Sequence, residues 1–72
     1  MEFKEMIGVR IKEIRKKKAM SQEAVANTAE MERSFITHIE NGRRNISVDT
    51  LERVLIALKV TPKDFFDTEY FS

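Results

Sequence analysis

One short stretch near the middle of the chain groups side chains that can read the edges of base pairs. Four polar residues share the outward face of a predicted helix and lie toward its N-terminal end, namely Arg33, Ser34, Thr37 and His38. A helix fits the major groove of B-DNA, where an arginine such as Arg33 can pair with guanine O6 and N7, worth roughly 1–3 kcal/mol of discrimination. The hydroxyls can donate or accept and therefore specify weakly. His38 can donate to a base, or it can be an ordinary surface histidine.

A second set of residues flanks this face and can hold phosphates, which would fix the docking register. Gln22 begins the preceding helix, where free N–H groups favour an anion. Asn41, Arg43 and Arg44 follow the reading helix, and the two arginines can equally belong to a solvated loop. Phe35 can pack in the core, touch a thymine methyl group or contact the sugar-phosphate backbone. On pattern alone, the two helices can also be a plain helical hairpin within a bundle.

Helical periodicity predicts the elements that position these residues. Phe3, Ile7, Ile11 and Ile14 mark the inner face of a first helix, which fades at residues 16–18. Ser21 is predicted to cap a second helix that ends near Thr28. Residues 30–32 then form a tight connection to a third helix at about 33–41. Gly42 follows, where a helix end favours a left-handed residue.

The later part of the chain predicts two more helices. Ser47 caps a fourth helix with the clearest apolar stripe in the chain, and Thr61 and Pro62 begin a short fifth one. The tail from Asp67 to Ser72 is expected to fray. No alternating strand pattern is present, so the sequence predicts an all-α fold of five helices in a single domain, residues 1–72.

The distribution of charge is more informative than the net charge of +1. Residues 1–19 hold seven Lys/Arg against three Glu, a balance of +4, and residues 45–72 come to −2. This asymmetry suits one face turned toward a polyanion, although a solvated lysine-rich helix explains it equally well.

Composition excludes several classes of function. The chain has no cysteine and a single histidine, so we expect no disulfide, no metal site and no cofactor. No phosphate-binding loop, triad or paired carboxylates point to an enzyme or to a small-molecule ligand. The apolar runs are too short for a membrane span, and the N-terminus lacks a signal-peptide pattern. We therefore expect a cytoplasmic protein.

Two segments carry a family resemblance, the run SQEAVA at 21–26 and the run RSFITHIENG at 33–42. They closely resemble the Cro/CI-type helix-turn-helix regulators of phages. The positions from Arg33 to Thr37, with Glu40, residues 44–47 and Leu51-Glu52, look most like restriction–modification controller proteins. The resemblance covers roughly residues 7–66. It implies a lambda-repressor-like fold, with the helix-turn-helix at about 21–41, and an autoregulatory role on double-stranded DNA.

The resemblance also implies roles for individual residues. Arg15 and Glu40 match a partly buried salt bridge that orients the reading helix, and Phe35 matches an aromatic residue that contacts the DNA backbone. Gln22 and Asn41 match phosphate-binding positions. One departure is Glu30, which stands where the family usually has a glycine in the turn. A glutamate in a left-handed conformation costs on the order of 1 kcal/mol.

A homodimer is expected because one reading helix touches too few base pairs to find a unique site. Two copies can read half-sites about 34–36 Å apart on a two-fold symmetric operator. The predicted dimerisation region is about 46–68, with Ile46, Leu51, Phe65 and Phe66 as interface residues. Alternatively, the second phenylalanine covers the end of the core.

Two other functions fit the same fold. One is a DNA-binding antitoxin or another regulator that is controlled by a partner protein. The other is a protein-interaction bundle without a DNA role, which would lack the steep salt dependence that phosphate contacts produce. Whether the chain activates or represses transcription stays open.

Overall fold

The computed structural model describes residues 1–72 and contains five α-helices and no strand. The helices are α1 (Phe3–Lys17), α2 (Gln22–Ala29), α3 (Arg33–Glu40), α4 (Val48–Leu58) and α5 (Pro62–Phe65). A 3₁₀ helix, Glu69–Phe71, follows α5. The all-α fold of five helices predicted from the sequence is confirmed.

Hydroxyl side chains cap the N-termini of three helices, α2, α4 and α5. The backbone N–H groups of Ala24 and Thr50 donate to Ser21 Oγ and Ser47 Oγ, each at 3.0 Å. The N–H of Asp64 donates to Thr61 Oγ1 at 3.1 Å, and Pro62 follows Thr61 in the first turn of α5. Each hydroxyl satisfies an N–H group that has no partner within its own helix. These starts agree with the caps that the sequence predicts.

The core is built from the inner faces of all five helices. Its buried apolar residues are Ile7, Ile11, Ile14, Val25, Ala26, Ala29, Ile36, Ile39, Val54, Leu55, Ala57, Leu58 and Phe65. Helix α3 packs against both α1 and α2, and α2 also packs against α4. The third helix is therefore fixed along its inner side, while its outer side faces solvent.

The two ends of the chain differ from the sequence-based expectation. Phe3 was expected on the inner face of α1, but it is exposed, and its ring contacts the ring of Phe71 edge-on at 6.0 Å between centroids. The tail was expected to fray, but Phe71 packs against the core and lies 4.9 Å from the Phe66 ring. The expectation was wrong because the tail carries aromatic rings, and burying these rings stabilises the fold.

A hydrogen-bonded link holds this tail to α1. Tyr70 donates from its hydroxyl to Glu13 Oε1 at 3.2 Å, and Arg10 donates to the same oxygen. The hydrogen bond from Arg10 holds the pKa of Glu13 below its usual value. Burial raises the pKa of Tyr70, and the adjacent Glu13 carboxylate adds to the rise. The contacts thus favour an ionised Glu13 beside a neutral Tyr70.

Two helices, α4 and α5, end on carbonyl groups that accept hydrogen bonds from cations of other elements. Arg10 of α1 donates to the carbonyls of Asp64 and Phe65 at the end of α5, both at 2.7 Å. Lys18 donates to the carbonyls of Leu58 and Lys59 at the end of α4. Cations stabilise the negative end of a helix dipole and satisfy carbonyls that the helix leaves free.

The helices are too short and too polar for any of them to span a membrane.

Candidate nucleic-acid interface

The connection between α2 and α3 is a tight turn built around a left-handed residue. Glu30 has φ 58° and ψ 50°, and the N–H of Met31 donates to the carbonyl of Ala26 at 2.9 Å. Arg53 of α4 closes the same helix end, since one of its guanidinium nitrogens donates to the carbonyls of Ala29 and Glu30. The family's glycine geometry is thus kept although the residue is a glutamate.

Helix α3 presents its predicted reading residues on one side. Arg33 and Ser34 are exposed at its first turn, and Thr37 and His38 are half-buried in its second turn. Ile36 and Ile39 on the opposite side are buried. Glu32 stands at the N-cap position, but its side chain makes no capping hydrogen bond.

A pair of buried charges anchors α3 to α1. Arg15 Nε lies 2.6 Å from Glu40 Oε2, and Arg15 Nη2 lies 3.1 Å from Glu40 Oε1. Both residues are nearly inaccessible, at 8% and 6% exposure. Arg15 Nη1 also donates to the carbonyl of Met20 at 2.8 Å, in the segment before α2. A bidentate arginine–carboxylate pair is among the strongest charge-assisted hydrogen bonds in proteins. Together with the bond to Met20 it joins α1, α3 and the segment before α2.

Gln22 connects this ion pair to the reading face. Its Nε2 donates to Glu40 Oε1 at 3.1 Å, and its Oε1 accepts from Thr37 Oγ1 at 3.0 Å. The sequence placed Gln22 at a phosphate and Thr37 at a base. The structure brings these two residues together and engages both side chains within the protein.

A close approach of two backbones brings α1 against the end of α3. A Cβ atom built on Gly8 would lie 2.2 Å from the carbonyl oxygen of Ile39 and 2.8 Å from that of Glu40. Only a glycine fits there without moving one of the helices. Gly8 was missed from the sequence, although a glycine inside a predicted helix costs about 1 kcal/mol relative to alanine and therefore indicates a packing requirement.

The segment after α3 holds the remaining predicted phosphate-binding residues. Asn41 is the C-cap residue of α3, and Gly42 follows with φ +70°. Arg43 and Arg44 are exposed, and the Arg44 guanidinium lies over the Phe35 ring at 5.5 Å from its centroid. Phe35 is half-buried against the core. Its inner side therefore packs in the protein, and Arg44 covers its ring.

The predicted interface residues separate into two groups. Phe65 is fully buried at 0% exposure, so its assignment to a dimer surface is wrong, because its ring fills the centre of the core under α5. Phe66 is 36% exposed, and Ile46 and Leu51 are half-buried. The adjacent Phe65 and Phe66 rings meet edge-on, at 5.0 Å between centroids.

Two exposed apolar residues on α4 were missed. Val48 is 84% exposed and Ile56 is 66% exposed, and both border the same surface groove. Together with Leu51, Leu55, Val60 and Phe66 they line a shallow groove of about 360 Å³. The signal in the sequence is an apolar residue recurring on the otherwise polar side of a helix.

Comparison with known proteins assigns this fold to a family. The family model described as a helix-turn-helix domain matches residues 8–70. The control protein C.BamHI of Bacillus amyloliquefaciens is 41% identical over 63 residues, which cover 86% of this chain and 78% of that protein. The control protein C.MunI of a Mycoplasma species is 35% identical and covers 90% of this chain and 89% of its own length.

Solved structures agree with the sequence relatives. The restriction–modification controller protein C.AhdI from Aeromonas hydrophila superimposes with a TM-score of 0.82 at 32% identity, covering 88% of this chain and 96% of its own. The controller protein C.Esp1396I, solved as a tetramer with its natural 35 base-pair operator, gives a TM-score of 0.87 at 32% identity, covering 93% of this chain and 90% of its own. The chain therefore belongs to the helix-turn-helix family, in the branch that includes the restriction–modification controller proteins.

Proposed function

We propose that this chain is a sequence-specific DNA-binding regulator of transcription, which binds a two-fold symmetric operator as a homodimer. The observation that carries the proposal is the geometry of α3. The helix is fixed from behind by Gly8 and by the Arg15–Glu40 pair, while Arg33 and Ser34 face outward at its first turn. A helix held in this way can enter the major groove with its N-terminal end first.

The proposed contacts fall into two classes. The first class reads bases and consists of Arg33, Ser34, Thr37 and His38. Arg33 is the most discriminating of them because its guanidinium can make a bidentate pair with guanine. The second class contacts the sugar-phosphate backbone on either side of these base-reading residues and consists of Gln22, Phe35, Asn41, Arg43 and Arg44. Since the Gln22 side chain is engaged with Glu40 and Thr37, we assign the phosphate to the free N–H groups in the first turn of α2.

The proposed dimer surface is the groove between α4 and α5. Its apolar walls come from Phe66, Leu51, Val48 and Ile56. We also include Ile46, which precedes α4 and is partly buried against the core. Contiguous exposed apolar surface on a small protein marks an interaction site. We place the helix-turn-helix at about 21–41 and the dimerisation region at about 46–68 of one domain.

We further propose that the regulated genes include those of a restriction–modification system together with the gene of this chain. The control proteins C.BamHI and C.MunI are relatives over most of the chain, and C.Esp1396I is bound to operator DNA in its complexes. The protein would act in the cytoplasm, as a regulator without catalytic activity or a cofactor.

Selection from random and genomic duplex DNA tests the proposal. Immobilised protein should retain a two-fold symmetric sequence, including one upstream of its own gene, and affinity should fall steeply as salt rises. Arg33→Ala should weaken binding to the selected site, whereas Lys63→Ala on α5 serves as a charge-matched control away from α3. Retention without any shared sequence would contradict sequence-specific regulation and favour a protein-interaction role.

A further inference from the structure

The direction of each hydrogen bond behind the reading face is fixed by a buried carboxylate. Glu40 can only accept, and its two oxygens already receive bonds from Arg15. The Gln22 group that faces Glu40 Oε1 at 3.1 Å must therefore be the amide NH₂. With the NH₂ turned inward, the amide oxygen of Gln22 is turned toward Thr37.

This orientation leaves the Thr37 hydroxyl with two acceptors beside it and no donor. Thr37 Oγ1 is 3.0 Å from Gln22 Oε1 and 3.2 Å from the carbonyl oxygen of Arg33. Both neighbours are acceptors, so either bond uses the proton inside the protein. A hydroxyl whose proton is used in this way presents only lone pairs to its surroundings.

We propose that Thr37 reads DNA only as a hydrogen-bond acceptor, and so selects an exocyclic amine, adenine N6 or cytosine N4, at its position in each half-site. In the major groove these amines are the donors, whereas guanine O6 and N7 and thymine O4 are acceptors. An acceptor placed against another acceptor leaves two polar groups without partners. The inference rests on the proposed function and makes one of its base contacts more specific. Thr37 accepts a hydrogen bond from the base and does not donate one.

The buried ion pair therefore also affects the outward side of α3. It fixes the orientation of the Gln22 amide, and the amide in turn helps to fix the direction of hydrogen bonding at Thr37. A threonine at this point on an otherwise similar helix, without the glutamine behind it and free of the Arg33 carbonyl, would be able to donate or accept.

Base analogues measure this polarity directly. In the selected operator, each adenine is replaced in turn by 2-aminopurine, which pairs with thymine but lacks the 6-amino group. Each cytosine is replaced by 2-pyrimidinone, which lacks the 4-amino group. Affinities are then measured for the unaltered protein, for Thr37→Val, which has the same shape without the hydroxyl, and for Thr37→Ser, which keeps it.

We expect one position in each half-site where the analogue weakens binding of the unaltered protein and of Thr37→Ser about fivefold, the effect of one hydrogen bond, and leaves Thr37→Val unchanged. An effect at an adenine or at a cytosine identifies which amine is read. The comparison is a ratio within each variant, so a loss of stability in Thr37→Val does not affect it.

The proposal is overturned if every analogue affects the unaltered protein and Thr37→Val alike. It is also overturned if analogues that remove thymine O4 or guanine O6 weaken binding of the unaltered protein and leave Thr37→Val unchanged, because Thr37 would then donate to the base. In both cases the protein would still select an operator, so the function proposed above would stand. A protein that selects no operator would overturn both proposals.

Discussion

Glu30 occupies a backbone conformation that a side chain with a Cβ atom adopts at a cost. Its φ of 58° places it in the left-handed region, where a residue other than glycine is less stable by roughly 1–2 kcal/mol. We predict that Glu30→Gly raises the free energy of unfolding by about 1 kcal/mol, because glycine's greater freedom in the unfolded chain offsets part of that gain. Chemical denaturation measures the change. Lys59→Gly, at φ 57° after α4, provides a matched comparison. A decrease at Glu30 would mean that the side chain stabilises the turn.

Glu40 balances a buried guanidinium and also orients Gln22. We predict that Glu40→Ala costs about 3–5 kcal/mol, because Arg15 would be left buried and uncompensated. That loss is a large share of the stability of a small domain, so the thermal midpoint and the operator affinity should both fall. Glu69→Ala, at an exposed position of the C-terminal 3₁₀ helix, is the control. The interpretation fails if the Glu40 variant keeps both its midpoint and its affinity.

Side-chain identity predicted the outward side of α3 well and the burial of the aromatic residues poorly. Arg33 and Ser34 are exposed where helical periodicity placed them, since Ile36 and Ile39 fix which side of α3 is buried. For Phe65 and Phe66 there is no such reference, because α5 has only four residues and shows no period. The direction in which that short helix enters the core decides between them, and only the packing of the other helices determines that direction.

At the scale of elements, the position of α3 depends on how closely α1 can approach it. We predict that Gly8→Ala destabilises the protein by roughly 1–3 kcal/mol, because the added methyl group meets backbone carbonyls that cannot turn aside. Val9→Ala, at an exposed neighbouring position of α1, controls for changes in helix propensity. Thermal unfolding and operator binding are the measurements. An unchanged midpoint would show that the two helices can separate freely.

The bounds of the helices were predictable because their signals are local. Ser21, Ser47 and Thr61 each precede a helix and bond to its first turn, so the caps can be identified without knowledge of the fold. Gly8 and Arg53 act across elements, and nothing within their own segments identifies the partner. The close contact of α1 with α3 and the closure of α2 by Arg53 therefore needed the structure.

For the whole molecule, the groove between α4 and α5 should control assembly. We predict that Phe66→Ser yields a monomer with weak operator binding, because it removes an apolar side chain from the proposed interface and leaves Phe65 in the core. Sedimentation at micromolar concentration measures the oligomeric state. Val9→Ser removes an exposed apolar side chain elsewhere on the surface and is the control. A stable dimer of the Phe66 variant would place the interface outside this groove.

The cations that close helix ends tie distant parts of the chain to one another. Arg53 joins α4 to the end of α2, Lys18 joins α1 to the end of α4, and Arg10 joins α1 to the end of α5. A helix that frayed at one of these ends would have to break a bond to another element. Local opening is therefore coupled to opening elsewhere, and the last turns of α2, α4 and α5 should exchange their amide hydrogens nearly as slowly as the core.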